Sequence, residues 1–150
     1  MPRNKKCRML NAPPCCSRFK PAGIPGRFLE KVVITLDEYE SIRLADFLNL
    51  EHEEASGKMG ISRSIFTRLV QTARQKVARA IVEGCELVIE GGEYHFQNKS
   101  YRCTDCSFIE SLKMEETIPE ACPFCGSGNI LNLNDQFGGK GHCRRHGIEK

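Results

Sequence analysis

Four cysteines near the C-terminus have the spacing of a metal-binding site. Cys103 and Cys106 form one C-x2-C pair, and Cys122 and Cys125 form a second pair after a gap of fifteen residues. Two residues between thiolates let one tight turn aim both sulfurs at one ion, and two such turns complete a tetrahedron with Zn–S distances of about 2.3 Å. Four thiolates leave no open position for water activation. The pattern therefore predicts a structural zinc ribbon that folds only with Zn2+, with rubredoxin-like iron or thiol redox chemistry as the alternatives.

The other cysteines carry weaker signals. The chain has nine cysteines, and they are interpreted as metal ligands or free thiols rather than disulfides, because nothing in the sequence indicates an oxidising compartment. Residues from both ends of the chain could form a second site that responds to metal or oxidant: Cys7, Cys15, Cys16, Cys143, His142 and His146. Adjacent Cys15 and Cys16 would chelate one ion with poor geometry, so free surface thiols are the favoured interpretation. Cys85 is expected to fill an apolar pocket, and His52 and His95 are expected to be isolated.

Charged residues are segregated along the chain, although the net charge is only +3. Residues 1–28 carry seven basic and no acidic side chains, and residues 63–82 carry five basic and no acidic ones. By contrast, residues 36–54 hold seven acids against one arginine, and residues 103–136 hold six acids against one lysine. Such alternation is expected if the basic segments face a polyanion, with a merely solvated charged surface as the alternative.

The basic segment that begins at Arg63 has the periodicity of a long amphipathic helix. Its apolar positions recur at intervals of three and four residues, at Phe66, Leu69, Val70, Ala73, Val77 and Ala80. The opposite side carries side chains suited to DNA, namely Arg63, Ser64, Thr67, Arg68, Gln71 and Arg74. Side chains at the start of such a helix reach base edges in the major groove, whereas Arg74 and Lys76 are placed for phosphates.

A shorter helix is predicted just before it, over His52 to Met59. Gly60 can adopt the left-handed conformation that ends this helix, and Ser62 can cap the next one. Ser56 supplies a small residue where the two helices cross. These features predict a helix-turn-helix from about residue 50 to residue 83 that binds double-stranded DNA as a sequence-specific transcriptional regulator. The alternatives are a small helical bundle with a solvated basic face, or a surface for RNA or protein.

The helical segment is similar to known DNA-binding sequences. The stretch GISRSIFTRLVQTARQKVARAI resembles the minus-35-reading domain of bacterial sigma factors. With the segments FKPAGIP, TLDEYE, RLAD, GISR and IEGG, the first 92 residues resemble the domain of unknown function 134 family. That resemblance implies a DNA-binding protein and no known target, substrate or reaction. Two departures from the family pattern, Ser56 in place of the more typical alanine and Gly57 within the helix, weaken that helix slightly.

The first 28 residues contain five prolines and no helical or strand period. They are interpreted as a disordered basic arm. Arg3, Lys5 and Lys6, together with Arg8, resemble arms that enter the minor groove of DNA, where the negative potential attracts basic side chains. A solubilising leader that contacts phosphates without reading sequence is the alternative.

The remaining pattern completes the expected organisation. Thr35 caps a helix that ends near Asn49, and alternating apolar residues on either side of Gly91-Gly92 predict a β-hairpin. The expected fold is a mainly α, sigma-factor-like helix-turn-helix domain followed by a small β zinc-ribbon domain. The segments are a basic arm, a helix-turn-helix domain, a hairpin with the ribbon, and a flexible tail, at residues 1–28, 29–90, 91–136 and 137–150.

Several classes of function are excluded by this pattern. No apolar run approaches the eighteen residues of a membrane span, and the N-terminus lacks the apolar core of a signal peptide, so a cytoplasmic protein is expected. No nucleophile with a base and no open metal position is evident, so neither an enzyme nor a small-molecule substrate is expected. A second copy of the chain is an expected partner, since one helix-turn-helix covers little DNA. The rival hypothesis is an adaptor whose acidic ribbon and first helix contact RNA polymerase or another protein.

Overall fold

Helices and short strands alternate along residues 7–138 and 141–142, the part of the chain that this computed structural model describes. The α-helices are α1 (Leu36–Ile42), α2 (His52–Met59) and α3 (Arg63–Glu83). A π-helical segment, Arg43–Phe47, continues α1, and short 3-10 helices cover Gly26–Phe28 and Leu133–Phe137. The strands are β1 (Arg8–Leu10), β2 (Arg18–Phe19), β3 (Lys31–Ile34), β4 (Glu86–Ile89), β5 (Tyr94–Phe96), β6 (Asn98–Cys103), β7 (Ile109–Lys113), β8 (Ile130–Asn132) and β9 (Gly141–His142). The architecture is mixed α/β. The mainly α class expected from the sequence is wrong, because strands of two to six residues are too short to show a clear period.

The strands form three small sheets of three strands each, in the orders β1-β5-β9, β2-β4-β3 and β7-β6-β8. β4 runs parallel to β3 and antiparallel to β2, with Leu87 opposite both Val32 and Phe19. β5 pairs in parallel with β1 and antiparallel with β9. In the third sheet β6 is central and antiparallel to both neighbours. The first two sheets therefore join segments that are far apart in the sequence, whereas β6 and β7 of the third sheet are consecutive strands.

The β-hairpin predicted across Gly91-Gly92 is wrong, because β4 and β5 belong to different sheets. Both glycines have positive φ angles, 78° and 98°, and they turn the chain from one sheet into the next. The backbone N–H of Leu36 donates to the Gly91 carbonyl at 3.1 Å, which anchors this turn to the start of α1. β2 and β3 form hydrogen bonds along the two edges of β4, so β4 has no free edge with which β5 could pair.

Gly92 packs so closely that replacing it with alanine will destabilise the fold. A Cβ at Gly92 would lie 2.9 Å from Asp37 Oδ1 and 3.2 Å from Thr35 Cβ, whereas one at Gly91 would meet nothing within 4 Å. Both positions carry the cost of a positive φ, so Gly91→Ala is the matched control. We expect Gly92→Ala to lower the free energy of unfolding by about 1–3 kcal/mol more than Gly91→Ala, measured by urea denaturation. Equal losses would show that the close approach has no energetic effect.

One hydrophobic core spans most of the described chain. Leu10, Phe66, Phe96 and Phe137 all lie in it, and each belongs to a different one of the four segments expected from the sequence. The helices contribute Leu36, Leu44, Ala55, Met59 and Val70, and the sheets contribute Ile34, Ile89 and Tyr94. No helix in the described residues is both long and apolar enough to cross a bilayer. The helices and the N-terminal strands therefore share a common interior.

The N-terminal arm predicted for residues 1–28 is wrong from residue 7 onwards. β1 pairs with β5, and Leu10 is buried in the core. Arg8 forms an ion pair with buried Asp37, and the backbone N–H of Asn11 donates to Glu40 Oε1 at 3.3 Å. A strand of three residues has too little pattern to detect, because its stability comes from a partner strand more than 80 residues away.

The predicted flexible tail is likewise wrong at its start. Phe137 is buried in the core and its carbonyl accepts the Tyr94 hydroxyl at 2.6 Å. Four residues later β9 pairs with β5. A single aromatic residue followed by glycines has no periodicity, so only the assembled core reveals its role.

Candidate nucleic-acid interface and candidate metal centre

The predicted corner between α2 and α3 is confirmed in its local structure. α2 ends at Gly60, which has the left-handed φ of 68° and donates its N–H to the Gly57 carbonyl at 3.2 Å. Ser62 Oγ then accepts the N–H of Ile65 at 3.3 Å and caps α3. Ser56 is buried on α2, and its hydroxyl donates to the Glu53 carbonyl at 2.9 Å. The turn thus sets the direction from which α3 begins.

The N-terminal half of α3 presents its polar side to solvent. The predicted DNA-binding residues here are all exposed: Arg63, Ser64, Thr67, Arg68 and Gln71. Within the described residues no carboxylate forms an ion pair with Arg63 or Arg68. The opposite side of the helix, with Phe66 and Val70, is buried in the core. Two guanidinium groups are therefore available at this end of the helix.

The C-terminal half of α3 uses its cations within the protein. Arg74 donates to both carboxylate oxygens of Asp46, at 3.0 and 2.7 Å, and this hydrogen bond raises the pKa of Arg74 and lowers the pKa of Asp46. Lys76 contacts Glu38 at 2.9 Å. The sequence had placed Arg74 and Lys76 for phosphates, whereas the structure places both in ion pairs with the α1 region. The sequence did not indicate the pairing of Arg74 with Asp46, because the two residues are 28 positions apart and no local pattern connects them.

Two residues lie on the surface around Arg63 and Arg68 that the sequence analysis did not assign to it. His52 was expected to be isolated, but its Nδ1 lies 3.0 Å from Thr67 Oγ1 and its ring meets Phe66 edge-on. The Thr67 hydroxyl also donates to the Arg63 carbonyl at 3.0 Å, so Thr67 connects the first turn of α3 to His52 of α2. Ile65 is partly exposed between the two free arginines. Its position off the apolar stripe of α3 is the signal that could have identified it.

The four ribbon cysteines converge as their spacing predicted. Their sulfur atoms all lie within 4.8 Å of one another, with Cys103 and Cys125 Sγ 3.6 Å apart and Cys106 and Cys122 Sγ also 3.6 Å apart. Four sulfurs at about 2.3 Å from one ion would be separated by about 3.8 Å. The donor set and its spacing therefore fit a tetrahedral metal ion.

Two similar turns hold these sulfurs. In the first, the N–H of Ser107 donates to the Cys103 carbonyl at 2.9 Å; in the second, the N–H of Gly126 donates to the Cys122 carbonyl at 2.8 Å. Both residues after the second cysteine of a pair have positive φ angles, 65° and 76°. Backbone N–H groups of Cys106 and Asp105 hydrogen-bond the Cys103 sulfur and lower the pKa of Cys103 to about 7. By contrast, desolvation and the neighbouring thiols raise the pKa of Cys106 to about 12, because thiolates this close together repel one another when no cation lies between them.

The N-terminal cysteines do not join a candidate metal site within the described residues, whereas Cys85 lies with Glu30 and Glu83 in a second group of possible ligands, their ligand atoms all within 4.8 Å of one another. No group of three or more candidate ligands there includes Cys7, Cys15 or Cys16. Cys15 and Cys16 are free thiols with sulfurs 3.7 Å apart. Cys7 is buried and disulfide-bonded, which corrects the expectation of a free thiol or ligand there. Composition could not anticipate this bond, since a disulfide depends on which sulfurs the fold brings together.

Several sequence predictions concern residues outside the described part of the chain. Arg3, Lys5 and Lys6 of the proposed arm lie there, as do Cys143 and His146, and for His142 only the backbone is described. Arg8, the fourth basic residue of the arm, is paired with Asp37. Cys85 is buried against Val32 and Ala80, as expected of an apolar filler.

Fold and site together define a mixed α/β protein with an exposed basic helix end and a four-cysteine cluster that could hold a metal ion. This chain belongs to the family described as protein of unknown function DUF134, whose model matches residues 1–97. The match confirms the resemblance seen in the sequence.

Relatives described only as "UPF0251 protein" match over nearly the whole chain. The relative from Chloroherpeton thalassium is 48% identical over 145 residues, covering 97% of this chain and 95% of its own. The relative from Moorella thermoacetica is 42% identical over 147 residues, covering 98% and 95%. An archaeal relative from Methanosarcina mazei is 38% identical over 140 residues, covering 91% and 83%. No solved structure matches the chain.

Proposed function

We propose that this chain is a cytoplasmic, sequence-specific DNA-binding protein and a transcriptional regulator, with α3 entering the major groove at its N-terminal end. The observation that carries the proposal is the exposed pair Arg63 and Arg68, which have no ion-pair partner in the described residues. Every other cation of α3 is held in an ion pair, namely Arg74, Lys76 and Arg79. Arginine is the residue best suited to bind guanine edges in a bidentate manner.

The neighbouring side chains fit a base-reading surface. Ser64 and Thr67 are short polar groups beside the arginines, and Ile65 adds an apolar side chain of the kind that contacts the thymine methyl group. The hydrogen bond between His52 and Thr67 fixes the start of α3 against α2. A rigid supporting helix is what a reading helix requires in order to dock at one angle.

In this proposal the four ribbon cysteines hold Zn2+, and the ion has a structural role. A four-thiolate set suits either zinc or iron. Zinc is preferred here because the proposed function needs no electron transfer. When bound, the ion supplies folding free energy to a segment with few buried side chains. Aerobically purified protein should be colourless with one zinc per chain; visible absorbance from iron would overturn the zinc assignment and leave DNA binding untouched.

Selection of bound DNA from a random pool tests the proposed function directly. We expect the intact, metal-loaded chain to enrich one motif, and its affinity to fall steeply with salt because several phosphates are neutralised. Failure to enrich any motif, or a nearly flat dependence on salt, would contradict the proposal.

Releasing Arg74 from Asp46 should strengthen DNA binding. In Asp46→Asn the guanidinium loses its ionic partner and becomes free for a phosphate. We expect the affinity to rise roughly 3- to 10-fold and the slope of log Kd against log salt to steepen by about 0.9, since one more phosphate is neutralised. Fluorescence anisotropy with the selected DNA measures both quantities.

The double variant Asp46→Asn/Arg74→Ala is the control for this prediction. Removing Asp46 also removes one negative charge near DNA, and the double variant retains that change while lacking the freed guanidinium. Its affinity should return close to that of the unmodified chain. A double variant as tight as Asp46→Asn would show that Arg74 does not reach a phosphate.

An adaptor function is the second candidate, and the ribbon surface favours it. Phe124, between Cys122 and Cys125, is 77% exposed. Its ring is parallel to that of Phe108, with the two ring centroids 6.2 Å apart and an interplanar angle of 2°. Acidic residues surround this aromatic pair in the sequence, a pattern that suits a basic protein surface such as a part of RNA polymerase. Pull-down of purified polymerase after nuclease treatment, compared between the chain and Phe124→Ser, separates this function from DNA binding.

A further inference from the structure

Two apolar residues at the end of α3 are not used by the core. The buried positions of the helix are Phe66, Val70, Ala73 and Ala80. Ile81 and Val82 fall off this stripe, and their exposed fractions are 76% and 83%. Exposed apolar side chains that adjoin a further apolar surface form a contiguous patch, and such patches are typical of interaction sites. They lie at the opposite end of α3 from Arg63 and Arg68.

An apolar groove runs beside Ile81, between the end of α3 and the sheet of β2, β4 and β3. Phe19 of β2 and Val32 of β3 lie on either side of Leu87 in the same sheet, and Val32 packs under Ala80 of α3. Because β2 has only two residues, the sheet ends early and leaves an open groove of about 340 Å³ between Phe19 and α3. Ile81 stands on the edge of the groove. A projecting apolar ridge, formed by Ile81 with Val82 next to it in the helix, therefore lies beside an apolar groove.

We propose that this face is the interface of a symmetric dimer, with Ile81 and Val82 of each copy seated in the groove of the other. A two-fold axis requires a patch that complements itself, and a ridge beside a groove meets that requirement. The rim is also charge-balanced, with Lys20 and Arg79 against Glu30 and Glu83. Such a rim complements a second copy of itself, whereas an acidic or a basic partner would leave half of these charges facing like charges.

The proposed dimer leaves the reading ends of both α3 helices free. α3 has 21 residues and is roughly 31 Å long at about 1.5 Å per residue. Two such helices that meet at their C-terminal ends and diverge can place their N-terminal ends about 34 Å apart, one turn of B-DNA. This step rests on the proposed function and predicts that the selected DNA motif is a palindrome with half-sites one turn apart.

Sedimentation equilibrium of the full, metal-loaded chain without DNA tests the interface. We expect the unmodified chain to reach twice its monomer mass at micromolar concentrations. Ile81→Asp/Val82→Asp should weaken dimerisation at least 100-fold, because each carboxylate would enter an apolar groove. Phe47→Asp is the matched control, since Phe47 is 78% exposed on a different surface, and this variant should dimerise like the unmodified chain. Circular dichroism confirms that the variants remain folded.

A monomeric unmodified chain at about 100 µM, well above ordinary homodimer dissociation constants, would overturn the inference. Dimerisation of the double variant with unchanged affinity would overturn it as well, because the contact would then lie elsewhere. The oligomeric state is measured without DNA, so its result is independent of the proposed function. A dimer that binds no DNA refutes only the DNA proposal, and a monomer that enriches a single half-site refutes only the dimer.

Discussion

If the four-cysteine cluster holds a metal ion, replacing Cys122 with serine should abolish metal binding and unfold the ribbon between Asn98 and Asn132. A serine hydroxyl does not replace a thiolate ligand, and metal binding in small structural sites contributes about 10–16 kcal/mol of folding free energy at neutral pH. The outer strands have little else to hold them, since β7 and β8 contain no fully buried side chain and only the central strand β6 does, with Tyr101. Metal analysis should fall from one ion per chain to about none, and hydrogen exchange should show loss of protection in β6 and β7.

The rest of the fold should survive this substitution. The core residues Phe66 and Val70 contact neither the metal cluster nor its turns, so amides of α3 should remain protected from exchange. Cys16→Ser is the matched control because Cys16 is a partly exposed free thiol outside the cluster. It should retain one ion per chain. Full metal content in the Cys122→Ser chain would refute the four-cysteine site.

The variant Arg63→Ala/Arg68→Ala should lose DNA affinity by roughly 10²-fold or more. Each well-placed bidentate contact to a base contributes about 1–3 kcal/mol, and the loss of two cations also reduces the salt dependence. Both side chains are exposed, and alanine favours helices, so the fold should be unchanged. Fluorescence anisotropy with the selected DNA, repeated across salt concentrations, gives the affinity and the slope.

Arg79→Ala is the control on the same helix. Arg79 is exposed as well but lies at the far end of α3 and is paired with Glu83 and Glu30. Its removal should change affinity by less than about twofold, because charges separated by more than a Debye length are screened and an exposed rim charge already paired within its own chain adds little to a dimer contact. A loss similar to that of the double variant would mean that bulk charge, and not the start of α3, drives binding. Unchanged affinity in the double variant would exclude α3 as the reading helix.

The features predicted well from the sequence are those that depend on residues within four positions of each other. Thr35 and Glu38 form the capping box that opens α1, with Thr35 N–H donating to Glu38 Oε2 at 3.0 Å. Gly60 ends α2 and Ser62 caps α3 by the same local rules. The four ribbon cysteines also belong here, because each C-x2-C pair is a local turn. The family resemblance came from these same stretches.

The predictions that failed concern contacts between distant segments. The predicted hairpin is wrong because β4 pairs with β2 and β3 instead of β5. The predicted arm is wrong because β1 pairs with β5. The pairing of Arg74 with Asp46 and of Arg8 with Asp37 decided which cations remain available. No local rule predicts such contacts, because short strands and ion pairs gain their free energy from a partner supplied by the backbone path.

The sequence by itself determined the position of the helices, the turn between α2 and α3, and the four-cysteine set, because helix caps, turns and chelating pairs are governed by short-range chemistry. The tertiary structure alone decided which arginines of α3 stay free, and that Ile81 and Val82 remain outside the core. The reason is physical: a residue's exposure depends on what the rest of the chain places against it.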